Sequence, residues 1–110
     1  MKKNGKWHGR DEFRSQIEKW AETIGVRPKV VTIRDMTQKW ASCSTAGRLT
    51  FNSDLLEETP EFGEYVIVHE LLHLRIPHHG KLFQSFLKAY LPKWSKTDGF
   101  HCGLGSEIER

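Results

Sequence analysis

Thr59-Pro60-Glu61-Phe62-Gly63-Glu64-Tyr65-Val66-Ile67-Val68-His69-Glu70-Leu71-Leu72-His73 decides how the rest of this chain is read. A hydroxyl cap, a proline at the first helical position and an acid in the first turn mark a helix start. Phe62, Tyr65, Val66, Ile67, Val68, Leu71 and Leu72 make that helix apolar almost all round. Such a helix is central and buried, and it should run to about Leu74 or Arg75. His69 and His73 stand four apart on it and share one face, so both can reach one metal ion. Glu70 sits about a third of a turn away, beside such an ion rather than on it. There a carboxylate can take a proton from water. Burying two imidazoles and a carboxylate with no partner costs several kcal/mol, and a bound cation removes that cost.

Four of the six histidines lie between positions 69 and 79, and His8 reads as a surface imidazole. Pro77 ends the helix and forces a turn, after which either His78 or His79 can come back over the first two. Three protein ligands leave a fourth position for water, the arrangement of a catalytic rather than a structural site. Nitrogen-only ligation suits Zn²⁺, although Co²⁺, Ni²⁺ or Fe²⁺ can load such a site. The expected chemistry is hydrolysis. The ion acidifies its water, Glu70 takes the proton, a polarised carbonyl is attacked, and Glu70 returns the proton to the leaving amine. For a further oxyanion donor, Tyr65, Tyr90, Arg75 and His78 are all conceivable.

Working outward, Phe13, Ile17, Trp20, Ala21 and Ile24 recur at helical spacing and predict an N-terminal helix over Asp11 to Ile24. Gly25 caps it and Pro28 prevents continuation. Lys29 to Arg34 is rich in β-branched residues and reads as a strand. Lys39 to Thr45 is irregular or a short strand. Gly47 marks a turn, Arg48 to Asn52 reads as another strand, and Ser53 is placed to cap a short helical turn through Leu56. Beyond Gly80, Leu82, Phe83, Phe86, Leu87, Tyr90 and Leu91 form one amphipathic face of a last helix, which Pro92 stops. The remainder is polar, without periodicity. These features divide the chain into a basic, disordered start (1–10), one domain (11–94) and a polar tail (95–110). In the tail, His101 and Cys102 are candidates to reach and block the open metal position, against the simpler expectation of a loosely packed end.

The 110 residues allow one modest core, and the mean hydropathy of −0.58 fits a water-soluble fold. No apolar run approaches the roughly 18 residues needed to span a membrane. Lys2, Lys3, Lys6 and Arg10 have no apolar stretch behind them, so the start does not read as a secretory signal. The expected location is cytoplasmic. The net charge of +3 comes mostly from the first ten residues, which can make weak contact with nucleic acid or simply be solvated. Cys43 and Cys102 form no metal-binding pair motif and are expected to be free thiols.

Residues 65–80, Tyr-Val-Ile-Val-His-Glu-Leu-Leu-His-Leu-Arg-Ile-Pro-His-His-Gly, resemble the core of the YgjP-like metallopeptidases and their WLM (Wss1-like) and SprT-like neighbours. In that pattern a histidine six residues after the second motif histidine completes the zinc site. The resemblance therefore implies His79 as third ligand with His69 and His73, and leaves His78 as a solvent-facing neighbour. Phe83 matches the family's phenylalanine four residues further on. Lys39-Trp40-Ala41-Ser42-Cys43-Ser44 is similar to the family's Trp-Gly-Ser-Cys segment, and Arg48-Leu49-Thr50-Phe51-Asn52 resembles the strand after it. The resemblance covers about Val30 to Trp94. Ala41 stands in place of glycine, Gln84 in place of tryptophan, and the N-terminal part is shorter than in many relatives.

This resemblance implies an α+β, zincin-like minimal metallopeptidase domain. A small twisted β-sheet packs on the N-terminal helix and the motif helix, with a cleft between. It implies a zinc metallopeptidase with Glu70 as general base and a peptide or unfolded protein as substrate. Arg48, Leu49, Thr50, Phe51 and Asn52 would form either an edge strand that pairs with the substrate or merely a component of the sheet. Asn52 either hydrogen-bonds behind a metal ligand or caps a turn, and Trp40, Ser42 and Cys43 are expected to pack or hydrogen-bond near the motif helix. Two other functions compete. One is a metal-dependent nucleotide (pyrophosphate) hydrolase, disfavoured by the lack of a carboxylate pair and a glycine-rich phosphate loop. The other is a DNA- or protein-binding module with a structural metal, for which Glu70 is superfluous.

Overall fold

A computed structural model of the chain describes residues 7–44, 46–76, 80–92 and, as backbone, 107–109. Helix α1 spans Arg10–Ile24 and buries Phe13, Ile17, Ala21 and Ile24, one side chain per turn. Asp11 and Glu12 occupy its first turn, where negative charge meets the positive helix end. Gly25 ends it at φ 87°, and its N–H bonds to Ala21 O at 2.8 Å. Only glycine takes this left-handed cap without cost.

Three strands follow: β1 (Val30–Arg34), β2 (Lys39–Cys43) and β3 (Arg48–Asn52). β2 and β3 form an antiparallel hairpin in which Ala41 faces Phe51 and Cys43 faces Leu49. The Ser44 hydroxyl accepts from the N–H groups of Ala46 and Arg48 and holds the turn closed. β1 lies parallel to β3, with Val30 opposite Arg48 and Arg34 opposite Asn52. A fourth strand, β4 (Glu107–Glu109), pairs antiparallel with β2, giving the sheet order β1-β3-β2-β4.

This order corrects one expectation. Arg48–Asn52 is an inner strand, not an edge. β1 takes one side of its backbone and β2 the other, so β3 has no free ladder to offer a peptide. The sheet edges are β1 and β4. At β1, the guanidinium groups of Arg10 and Arg14 donate to Ile33 O (2.8 Å) and Val31 O (3.2 Å). Two arginines of α1 thus occupy carbonyls that an exposed edge would present to another chain.

A 3-10 turn, Ser53–Glu57, leaves β3, and its cap is Asn52 rather than Ser53. Asn52 Oδ1 accepts from Asp54 N–H, while Nδ2 donates to Met36 O and Lys39 O at 2.8 Å each. Asn52 therefore has the capping role foreseen as its alternative, and it also ties the β1–β2 connection to the end of β3. The Ser53 hydroxyl instead donates to Asp35.

Helix α2, Pro60–Leu72, starts where the sequence predicts, with Thr59 Oγ1 accepting from Phe62 N–H at 3.2 Å. Nine consecutive or near-consecutive side chains from Gly63 to Leu72 are buried. The helix ends slightly early. His73 is its cap, and the chain continues to Arg75 through three-residue turns. Trp7 lies in the core against Phe13 (ring centres 4.9 Å, edge-on), inside the segment the sequence reads as a disordered start. Residues 1–6 are outside the described set.

Helix α3, Lys81–Tyr90, buries only Phe83 and Leu87 of the six residues assigned to its apolar face. Leu82 is 59% exposed and Phe86 36%. The stripe at 83 and 87 faces the body of the protein, and the neighbouring 82 and 86 stripe is rotated out of reach by about 100°. Among the described residues no helix is long and apolar enough to cross a membrane.

Candidate active site

The site is built on the second half of α2. His69 and Glu70 are fully buried, and His73 is 6% exposed. One turn of helix brings the two imidazoles together, with ring centres 4.8 Å apart and planes at 69°. His69 Nδ1 lies 3.5 Å from Glu70 Oε2. Two imidazoles sharing one tetrahedral ion at metal–nitrogen distances of about 2.0–2.1 Å have ring centres roughly 5 Å apart. The observed spacing fits that donor set. His78 and His79 lie outside the described residues, as do His101 and Cys102, and among the described residues no third donor completes a cluster.

Phe83, from the first turn of α3, closes over both rings. Its centre is 4.7 Å from that of His73 in a stacked arrangement at 29°, and 5.2 Å from that of His69, edge-on at 71°. Tyr65, one turn before His69, packs on it at 5.8 Å. Of the conceivable oxyanion donors, the structure therefore brings Tyr65 to the site. It holds two others elsewhere. Arg75 donates to Ile24 O at 2.9 Å, latching the end of α2 to α1. Tyr90 sits edge-on to Trp20 at 5.9 Å, and Trp20 in turn donates to Glu64 at 2.9 Å.

β2 runs along the other side of the site. The Cys43 thiol is pushed up to about 11, first by burial and then by the negative charge of Glu70. The charge of Glu70 is thus felt at Cys43 across the space between β2 and α2. The raised value keeps Cys43 a neutral thiol near pH 7, whereas thiolate is the form that attacks or ligates. Trp40 meets Phe62 edge-on at 5.1 Å, anchoring β2 to the first turn of α2. Ala41, in the family's glycine position, is fully buried, so its methyl is accommodated within the core. Sequence reasoning did not assign the contact of Phe83 with both imidazoles. The signals were its place among six apolar residues on the face of α3 and its match to the family's phenylalanine, neither of which specifies a contact with the histidines.

Comparison with known proteins bears on the family and the fold. The profile of the YgjP-like, metallopeptidase domain matches residues 2–98. No curated protein matches the chain. Among solved structures, the metallopeptidase zymogen of Methanocaldococcus jannaschii jannalysin is similar at 26% identity and a TM-score of 0.67. The match covers 81% of this chain and 88% of that one. The metallopeptidase zymogen of Pyrococcus abyssi abylysin is similar at 25% identity and a TM-score of 0.64, over 73% and 80% of the two chains. The α+β architecture, the buried histidine helix and the matched profile lead to one assignment: the chain belongs to the YgjP-like metallopeptidase family.

Proposed function

We propose that this metallopeptidase is zinc-dependent and hydrolyses peptide bonds of extended or unfolded polypeptides, with His69, His73 and His79 holding the ion and Glu70 as general base. The observation that carries the reading is the pair of buried imidazoles 4.8 Å apart with a buried carboxylate on the next residue. His79 enters through its spacing from His73. Supporting it, α3 begins two residues later and is pinned onto both imidazoles by Phe83. When bound, zinc supplies Lewis acidity that polarises a carbonyl and acidifies water. Glu70 accepts the proton of the attacking water and delivers it to the departing amine nitrogen. Helix α2 keeps that carboxylate fixed beside the two imidazoles, so no reorientation is needed between the two transfers. Tyr65, whose ring packs on His69 at 5.8 Å, supplies a donor for the charge developing on the carbonyl oxygen.

The peptide is bound in extended form along the outer side of β2, the strand that carries Cys43 past Glu70. Support comes from β4, a three-residue segment already paired antiparallel with that side. An extended substrate makes the same main-chain bonds.

The test is Glu70→Gln. Metal content by elemental analysis and the melting temperature should stay at wild-type values. Hydrolysis of a peptide library should fall by at least about 10²–10⁴-fold. Retained turnover in this variant ends the assignment of Glu70, and a wild-type chain that cleaves a nucleoside triphosphate but no peptide ends the choice of substrate.

A further inference from the structure

We propose that Phe83 is a positioning residue for the metal centre, its ring holding the imidazoles of His69 and His73 in the mutual orientation that one ion requires. The inference rests on the metal-site reading above and assigns a task to a residue that carries no donor atom.

The argument starts from what the helix does not fix. Rotation of an imidazole about its bond to Cβ is a broad, two-fold torsion, poorly restrained by the backbone. His69 sits within the last turn of α2, with helical residues on both sides of it. His73 does not. It is the helix cap, its N–H reaches Glu70 O at 3.2 Å in a three-residue turn, and the chain leaves the helix through similar turns at Leu74 and Arg75. The weaker-held ligand is the one on which Phe83 stacks face to face, at 4.7 Å and 29°. The same phenyl ring meets His69 edge-on at 5.2 Å. One rigid plane thus contacts both imidazoles in the two geometries that aromatic rings favour. Tyr65 closes the other side of His69.

Ordinary core packing makes a different pattern. Phe51 is as deeply buried as Phe83, yet its aromatic neighbour is Phe13, at 5.5 Å. Phe83 instead meets both histidines. Orienting ligands before the ion arrives removes part of the ordering cost of binding, which appears in affinity and in the release rate.

The experiment compares Phe83→Leu with Phe51→Leu in the full chain. Release of Zn²⁺ to a chromogenic chelator, the visible spectrum of the Co²⁺-loaded protein and the melting temperature of the metal-free form are measured for each. Phe83→Leu should release zinc about tenfold faster and change the Co²⁺ bands. Phe51→Leu should lower the melting temperature while leaving release and spectrum as in the wild type. Wild-type release and spectrum in Phe83→Leu overturn the proposal, as does equally fast release from Phe51→Leu.

If Phe83→Leu does not fold, the wild type decides. In the metal-free protein the His73 ring protons should be displaced upfield by the phenyl face, and ordinary histidine positions overturn the proposal. A wild-type chain that takes up no metal removes the metal-site reading as well. That result is distinguishable, because it is seen before any variant is made.

Discussion

The indole of Trp7 lies flat on Gly63, so close that a β-carbon at position 63 would come within 2.6 Å of the indole nitrogen and 2.8 Å of its ring carbons. A glycine in the second turn of α2 thus admits the N-terminal segment to the core. The backbone N–H of Trp7 also donates to Leu56 O at 3.3 Å, so the segment straps across the entry to α2.

Gly63→Ala tests this strap. In an unobstructed helix, alanine is favoured over glycine by about 1 kcal/mol. Here the overpacking cost of about 1–3 kcal/mol opposes it, and a rigid indole with a buried edge cannot move aside. Net destabilisation is expected in urea denaturation. In a Trp7→Ala background the same substitution should become neutral or stabilising, since only the propensity gain remains. Additive losses in the double variant would show that the two residues do not touch.

The thiol of Cys43 gives a pH test. Its pKa is raised to about 11, so the folded state holds that proton more tightly than the unfolded chain, whose value is 9.0. This contribution to stability is complete below about pH 9 and is lost as pH rises through about 11. Alkylation by iodoacetamide in metal-free protein should therefore be slow near neutral pH and rise only toward pH 11. Glu70→Gln removes the smaller cause and leaves burial, so the profile should move to lower pH yet stay above the ordinary value. A profile unmoved by that substitution breaks the Cys43–Glu70 proximity.

The pairing of β4 with β2 bears on substrate binding. A chain ending at Leu104 lacks Glu107–Glu109 and leaves the outer side of β2 open. If the pairing is worth about 1.4 kcal/mol, its loss should raise kcat/KM for extended peptides by about tenfold. Steady-state kinetics, with the melting temperature as control, measure this. Lower activity at unchanged stability would place the peptide elsewhere.

How much was legible beforehand differs by element, for physical reasons. Local rules carried α2 and α1. The Thr59-Pro60-Glu61 start, the Gly25 cap and the four-residue histidine spacing are properties of short segments, and the structure reproduces them. The residues of β3 were also correctly bounded. Its place in the sheet was left open between edge and interior, because strand order depends on which distant segments compete for two hydrogen-bonding sides. Nothing within Arg48–Asn52 encodes that β1 takes one of them. β4 was invisible for the same reason: Glu107-Ile108-Glu109 has no pattern of its own and becomes a strand by pairing with β2.

Sequence alone, then, determined that two imidazoles share one face of α2 with a carboxylate beside them, since one helical turn suffices to bring them together. Tertiary structure alone decided what holds those rings and what flanks them. Phe83 arrives from the next helix, Cys43 from the second strand and Trp7 from the start of the chain. Contacts across such separations come from packing the whole chain, which no local spacing specifies.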